Sequence, residues 1–303
     1  MIRFGVHAGP QECPVAELVQ LWAAAERLGF EWISIWDHFY PAQVAPDRDC
    51  LEAVACHALL AAKTRAVRVG SLVYCAGYRH PAVLANAAAT IDHISGGRLE
   101  LGLGAGWHEA EYRAYGIPFE APAVRLRRLA EAVEIIRLLW SEPVADFKGE
   151  FFTLTGAMCH PKPVQQSPRI WIGATGERLA LPLAGRIADG WNAAYVSPES
   201  FARKLAIIKA SSPAPDRLVT GVNVGLVLSD GDPQDALRRR YGDAADAVRP
   251  GILHGSIGEI VDRVGRYREA GADWLNLGLR APFELDALQR FAAEVMPEAR
   301  ALA

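Results

Sequence analysis

The stretch AVRVGSLVYCAGYRHPAVLANAAATIDHISGGRLELGLGAG, Ala66 to Gly106, decides the fold. A β-rich apolar run, AVRVGSLVY, gives way to PAVLANAAATIDHIS, whose Pro81 suits the first turn of a helix. A second β-rich run, RLELGLGAG, follows at once. Strand, helix and strand in this order predict a crossover unit, with two parallel strands and the helix packed outside them.

The same alternation continues in both directions. IRFGVH reads as a strand. VAELVQLWAAAERLG carries Leu18, Leu21, Trp22, Ala25 and Leu28 at helical spacing and stops at Gly29. EWISIW is a strand and CLEAVACHALLAAKT a helix. Beyond Gly106, VRLRRLAEAVEIIRLLW is a long helix with a stripe through Leu126, Leu129, Val133, Ile136 and Trp140. The pattern breaks between Ser141 and Ser167, where alternating aromatics, glycines and prolines predict a β-hairpin and loop inserted over one end of the fold. It resumes with RIWIG, ERLALPLAGRI, ADGWNAAY, ESFARKLAIIKAS, LVTGVNVGLVL, SIGEIVDRVGRYREAG, ADWLNLGL and ELDALQRFAAEVM. Eight strands with their helices predict an α/β chain of one domain, residues 1–303. It is a closed (β/α)8 TIM barrel with an insertion region after the fourth βα segment. An open doubly wound sheet is the alternative.

Composition excludes several classes. The chain has 303 residues, 51% hydrophobic and 22% charged, with a formal net charge of -3. Lys and Arg are scattered, without the basic stripe of a nucleic-acid binder. No apolar run is long enough to cross a bilayer, and MIRFGVHAGP lacks the pattern of a signal peptide, so no membrane partner is expected. Cys13, Cys50, Cys56, Cys75 and Cys159 are spread out with no C-x-x-C, which reads as reduced thiols in a cytoplasmic protein.

In such barrels the active site lies at the C-terminal ends of the strands, so each motif is weighed by whether it follows a strand. Asp37 and His38 do, in SIWDHFYP. Asp37 suits a helix cap or loop tie as well as a pocket, whereas a histidine there can shuttle a proton near neutral pH. His7 follows the first strand alone, without the H-x-H pair of many metal-dependent barrels. Asp37, His38, His80 and His254 have no spacing that demands a metal, and none is expected. In RLELGLGAGW, alternation puts Glu100, Gly102, Gly104 and Gly106 on one face. Those glycines allow close approach of a backbone or a flat ligand, or simply make room for large neighbours. Their G-x-G-x-G spacing is not the dinucleotide fingerprint. IWIGATGERL passes from a strand through Gly173, Ala174, Thr175 and Gly176 into a helix. That is an anion site on free amides, or an ordinary loop with Thr175 as N-cap. Tyr74, Tyr78, Arg79 and His80, and likewise Trp191 and Asn192, could flank a flat cofactor or anchor loops.

Together WDHF, VYCAGYRHPAVLANAAATIDHISGGRLELGLGAGWHEAEYRAYGIPF, KGEFFTLTGAMCHPKPVQ, IWIGATGERLALPLAGRIADGWN and YREAGADWLNLGL resemble the luciferase-like monooxygenase superfamily, in its branch that uses the deazaflavin coenzyme F420. The resemblance covers nearly the whole chain and implies a (β/α)8 barrel with an insertion region. It implies that Asp37 and His38 line the deazaflavin pocket. Leu72 and Val73 would form a bulge with a non-proline cis peptide behind the ring. Gly104, Ala105 and Gly106 would lie beside it, and Gly173, Ala174, Thr175 and Gly176 would hold the phosphate. His7, Trp107 and Glu109 are candidates for the substrate side. Pro182 departs from expectation, since a proline inside the following helix would kink it and disturb the phosphate loop.

The function so implied is hydride transfer between F420 and a small organic substrate, with His38 exchanging the proton and Asp37 fixing the ring edge or the imidazole. The alternative is a monooxygenase using reduced FMN supplied by a partner reductase. A non-catalytic flavin-binding barrel and a metal hydrolase are more distant readings. Family resemblance also implies a homodimer.

Overall fold

Each barrel strand is a short run buried on both faces, as a sheet walled by helices on one side and plugged by its own side chains on the other requires. The computed structural model describes residues 1–41, 47–229 and 231–302. The barrel strands are β1 (Arg3–Ala8), β2 (Trp32–Ile35), β3 (Arg68–Ser71), β4 (Leu99–Gly104), β5 (Ile170–Gly173), β6 (Gly190–Ala194), β7 (Val219–Leu228) and β8 (Trp274–Leu279). Every neighbouring pair is parallel, and β8 pairs with β1 through Arg3 opposite Trp274 and His7 opposite Gly278, which closes the barrel. The expected α/β barrel is the observed fold.

The helices form where the sequence places their signals. Val15–Arg27 buries Leu18, Leu21, Trp22 and Ala25. Pro81 opens the helix Pro81–Ser95, and Gly96 ends it in a left-handed turn with φ 68°. Ser256 and Glu259 form a reciprocal capping box at the start of Ile257–Glu269. The outward strand residues, among them Phe4, Val6, Ile33, Leu101, Ile172 and Leu275, meet these helices in one continuous core.

Alternation turns the other residues inward. At the N-terminal end of the barrel, Trp32, Trp171 and Trp274 cluster, with Trp32 centred 4.7 Å from Trp171 and 5.3 Å from Trp274. Glycines on adjacent strands make room for the indoles: a Cβ at Gly70 would lie 2.5 Å from Trp32. Glu100, 1% exposed, accepts from Trp171 Nε1 at 2.6 Å and pairs with Arg68 and with Arg169.

The expected hairpin is Ala145–Lys148 with Thr153–Ala157. Glu131 on the long helix Pro122–Ser141 accepts the amides of Glu150, Phe151 and Phe152 at its tip, Arg127 pairs with Glu150, and Phe152 packs edge-on to His80. One region differs from expectation: it falls after β7, which the sequence reading passed over. β7 extends above the barrel, and its last four residues, Gly225 to Leu228, pair with the extra strand Ile252–Gly255. With the helix Pro233–Tyr241 this builds a small core of its own around Leu237, Ala245 and Ile252.

Candidate active site

β2 ends at Ile35, and the chain crosses the rim as Trp36-Asp37-His38. Asp37 is 4% exposed, and both its oxygens are taken. Oδ2 accepts from Arg79 Nη1 at 2.6 Å and from the Cys75 amide at 3.0 Å, and Oδ1 accepts from Arg79 Nη2 at 2.9 Å. Arg79 in turn pairs with Glu52, which caps the helix Ala53–Lys63. Asp37 thus ties the β2 rim to the β3 rim, and its charge is spent on a forked partner.

His38 meets a carboxylate that the sequence reading missed. Glu111, on the short helix Glu109–Ala114, is fully buried. Its Oε2 accepts from His38 Nδ1 at 2.8 Å and Tyr78 Oη at 2.6 Å, and its Oε1 from the amides of Phe39 at 2.6 Å and Tyr40 at 3.0 Å. Burial alone would raise its pKa, but these donors together pull it down to about 2, so it is ionised. An ionised carboxylate only accepts, so His38 carries its proton on Nδ1, and Nε2 has no partner among the described residues. Glu109, the acid proposed from sequence, faces solvent and pairs with Arg113 instead. Helical geometry is the cause, because residues two apart lie on opposite sides of a helix. Trp107 is 59% exposed at the rim, edge-on to His38 at 5.5 Å.

The Leu72–Val73 peptide is cis. It interrupts the third strand, which resumes as Tyr74–Cys75 beside β4. The half-buried Val73 lies against the glycine face of the next two strands. A Cβ at Gly104 would stand 2.6 Å from Val73 Cγ2, and one at Gly173 would stand 2.8 Å from Val73 Cγ1. At Gly102 it would meet the Ser71 carbonyl at 2.0 Å. The glycine face therefore takes a backbone and the Val73 isopropyl group directly, and any flat ligand would meet Val73. Gly106 is also needed for close packing: a Cβ there would collide with Tyr112 Oη at 2.2 Å and Cys75 Sγ at 2.7 Å, and its φ is +81°. Ala105, beside it, lines a cavity of about 220 Å³ with Tyr112, Arg125 and Arg128.

The loop after β5 holds Ala174, whose carbonyl accepts from Trp191 Nε1, and Thr175, whose carbonyl accepts from Lys204 Nζ at 2.8 Å. The amides of Thr175, Gly176 and Glu177 make no hydrogen bond among the described residues. Thr175 is not the N-cap, because the helix Ala180–Ile187 begins five residues later, after Leu179. Pro182 is the third residue of that helix, where the amide has no intrahelical acceptor, so it does not kink the helix.

The upper interior is polar. His7 is 4% exposed, bonds Ser34 through Nδ1 at 2.9 Å and packs edge-on to Trp36. Burial, opposed by a Ser34 hydrogen bond and aided by Arg280, pulls its pKa down to about 3, so it is neutral at neutral pH. Asn192 and Asn276 are buried, and their side-chain oxygens have no partner among the described residues. The β3 loop residues are anchors: Tyr74 bonds His57, Tyr78 bonds Glu111, Arg79 bonds Asp37, and His80 caps the next helix. Among the described residues no group of three or more His, Cys, Asp or Glu is placed to hold a metal, and no helix is long and apolar enough to cross a membrane.

Fold and site define a (β/α)8 barrel whose C-terminal mouth carries His38, the Val73 wall and the loop after β5. The chain belongs to the luciferase-like monooxygenase family, whose profile matches residues 1–249. It is similar to an F420-dependent glucose-6-phosphate dehydrogenase of Amycolatopsis mediterranei (strain U-32), 32% identical over 192 residues, 63% of this chain. The chain spans 57% of that relative's length. It is also similar to an FMNH(2)-dependent dimethylsulfone monooxygenase of Pseudomonas putida, 27% identical over 252 residues, 82% of this chain and 68% of that protein. Among solved structures, an F420-dependent secondary alcohol dehydrogenase in complex with an F420-acetone adduct superposes with a TM-score of 0.86 at 20% identity, covering 99% of each chain. That likeness concerns the fold.

The residues fit a flat redox ring with a phosphate tail. Val73 with the Gly104 and Gly173 faces supplies a smooth apolar wall, and the amides of Thr175, Gly176 and Glu177 offer donors to an anion.

Proposed function

We propose that this chain is an oxidoreductase that holds coenzyme F420 in the barrel mouth and serves hydride transfer to or from a small organic substrate. The observation that carries the reading is the Val73 wall set on Gly104 and Gly173, within a rim that also presents His38. The F420-dependent relative supports the choice of deazaflavin. Bound there, F420 supplies the hydride chemistry, and the protein supplies orientation, dryness and proton handling.

Leu72 and Val73 back the ring, and Gly104 and Gly173 keep the slot narrow. Thr175 and Gly176 receive the phosphate on their free amides, and Gly173 and Ala174 carry the chain from β5 into that loop. His38 exchanges a proton through Nε2, and Asp37 holds the rim in place through Arg79. His7 and Trp107 border the substrate side, His7 as a neutral imidazole. The reading extends to a cytoplasmic homodimer, which sedimentation of the purified chain tests.

The deciding experiment is a parallel binding titration with F420 and FMN. Tighter binding of F420, followed by turnover of a reducible or oxidisable substrate, is the expected result. The second reading, a reduced-FMN monooxygenase, is supported by the relative matched over 82% of this chain. Oxygen consumption with reduced FMN and no binding of F420 would select it. Binding with no turnover on any acceptor would leave a non-catalytic flavin-binding barrel.

A further inference from the structure

We infer that Glu111 is a positioning residue for His38, fixing its imidazole with the proton on Nδ1 so that Nε2 alone is free to exchange a proton at the rim. The inference deepens the function proposed above and rests on it for the role of His38.

A carboxylate offers about four lone-pair sites. At Glu111 they meet four donors: His38 Nδ1, Tyr78 Oη and the amides of Phe39 and Tyr40. The division is ordered. One oxygen takes both backbone amides and so sets the turn of the chain after His38. The other takes the imidazole and the phenol. The group therefore has no spare rotation. Phe39, whose amide it holds, is stacked between Tyr78 at 4.4 Å and Tyr115 at 3.9 Å, which fixes the rim from the other side. The His38 ring is further boxed by Trp107 at 5.5 Å and by His108 at 5.8 Å. His108 Nδ1 is 3.5 Å from the same Oε2 but makes no hydrogen bond, so among the described residues His38 is the one imidazole bonded to the carboxylate. A loop anchor needs only the Oε1 contacts. The Oε2 contact to an imidazole at the mouth is what a second partner in an acid–base pair supplies, by selecting one tautomer.

The test is Glu111→Gln. The amide keeps an oxygen for the two backbone donors but places N–H groups against His38 Nδ1, which must then accept, and the proton moves to Nε2. Side-chain 15N spectra of the protein without cofactor, in mildly alkaline buffer, read the tautomer directly. The expected wild-type spectrum has Nδ1 protonated and Nε2 bare. E111Q should reverse it and lower kcat about 100-fold, with KM changed less than about threefold. Tyr78→Phe removes a donor from the same oxygen, and should keep the wild-type tautomer and most of kcat. An Nε2-protonated or mixed tautomer in the wild type, or no reversal in E111Q, overturns the inference. Should E111Q fail to fold, the wild-type and Y78F spectra decide alone. A reversed tautomer with unchanged turnover, together with full activity of His38→Ala, would uphold the positioning and sink the proton role assigned to His38.

Discussion

The two ends of the barrel interior are built from the same eight strands and behave oppositely. At the N-terminal end, three indoles and a carboxylate with two arginines fill the space, and Glu100 has a partner for each oxygen. At the C-terminal end, the inward positions are small or polar: Gly104, Gly173, His7. Protein interiors satisfy buried polar groups almost everywhere, yet Nε1 of Trp32 and Trp274 and the side-chain oxygens of Asn192 and Asn276 have no partner among the described residues. The two ends therefore differ in bulk: aromatic rings fill one, and glycines with a short polar ring line the other.

The largest way to break this contrast is to open the closed end. Glu100→Ala removes the partner of Trp171 Nε1 and leaves Arg68 and Arg169 facing each other uncompensated. Urea denaturation should show a loss of about 3 kcal/mol or more. Cofactor affinity of the folded fraction should be unchanged; a matching loss of binding would mean the ends are not independent.

Acid sharpens the comparison. His7 and His57 are held far below the usual imidazole pKa by burial, His7 at about 3 and His57 at about 4. The unfolded chain binds protons at these positions from about pH 6.5 downward while the folded chain does not. Stability is therefore full above that pH and falls as pH drops toward 4, by about 1.4 kcal/mol per pH unit for each imidazole. His7→Gln should roughly halve the slope measured by denaturant titration across that window. A slope that ignores His7 would mean it is protonated in the fold.

A smaller effect comes from narrowing the slot. Gly104→Ala drives a methyl into Val73, and cofactor affinity should fall about tenfold. Adding Val73→Ala should restore space and part of the affinity, a coupling that calorimetric titration of the four proteins would measure. Smallest in stability is Trp107→Ala. Its exposure predicts less than about 0.5 kcal/mol of destabilisation, with the substrate KM rising while cofactor binding holds.

The barrel was readable from sequence because period-two and period-3.6 patterns report burial directly, and several βα units announce themselves with a proline, glycine or serine at a boundary, as at Pro81, Gly96 and Ser256. The family motifs pointed to Leu72 and Val73, and the peptide between them is cis. Less readable was anything set by contact between distant segments. Glu111 and Glu109 are both helix-borne glutamates. Only the arrival of the His38–Tyr40 segment at one face of that helix distinguishes the buried acid from the exposed one. Alternation left Gly106 open either to a ligand or to a large neighbour, because it cannot see Tyr112 folding back onto it. The segment after β7 lacked a strong period, and its strand Ile252–Gly255 is an edge that exists only because β7 overshoots the rim.

That overshoot makes the mouth lopsided. A ledge with its own apolar centre stands on the β7 side, and the rim beside His38 is aromatic, with Trp107 on its ring and Tyr115 packed on Phe39 and Tyr40.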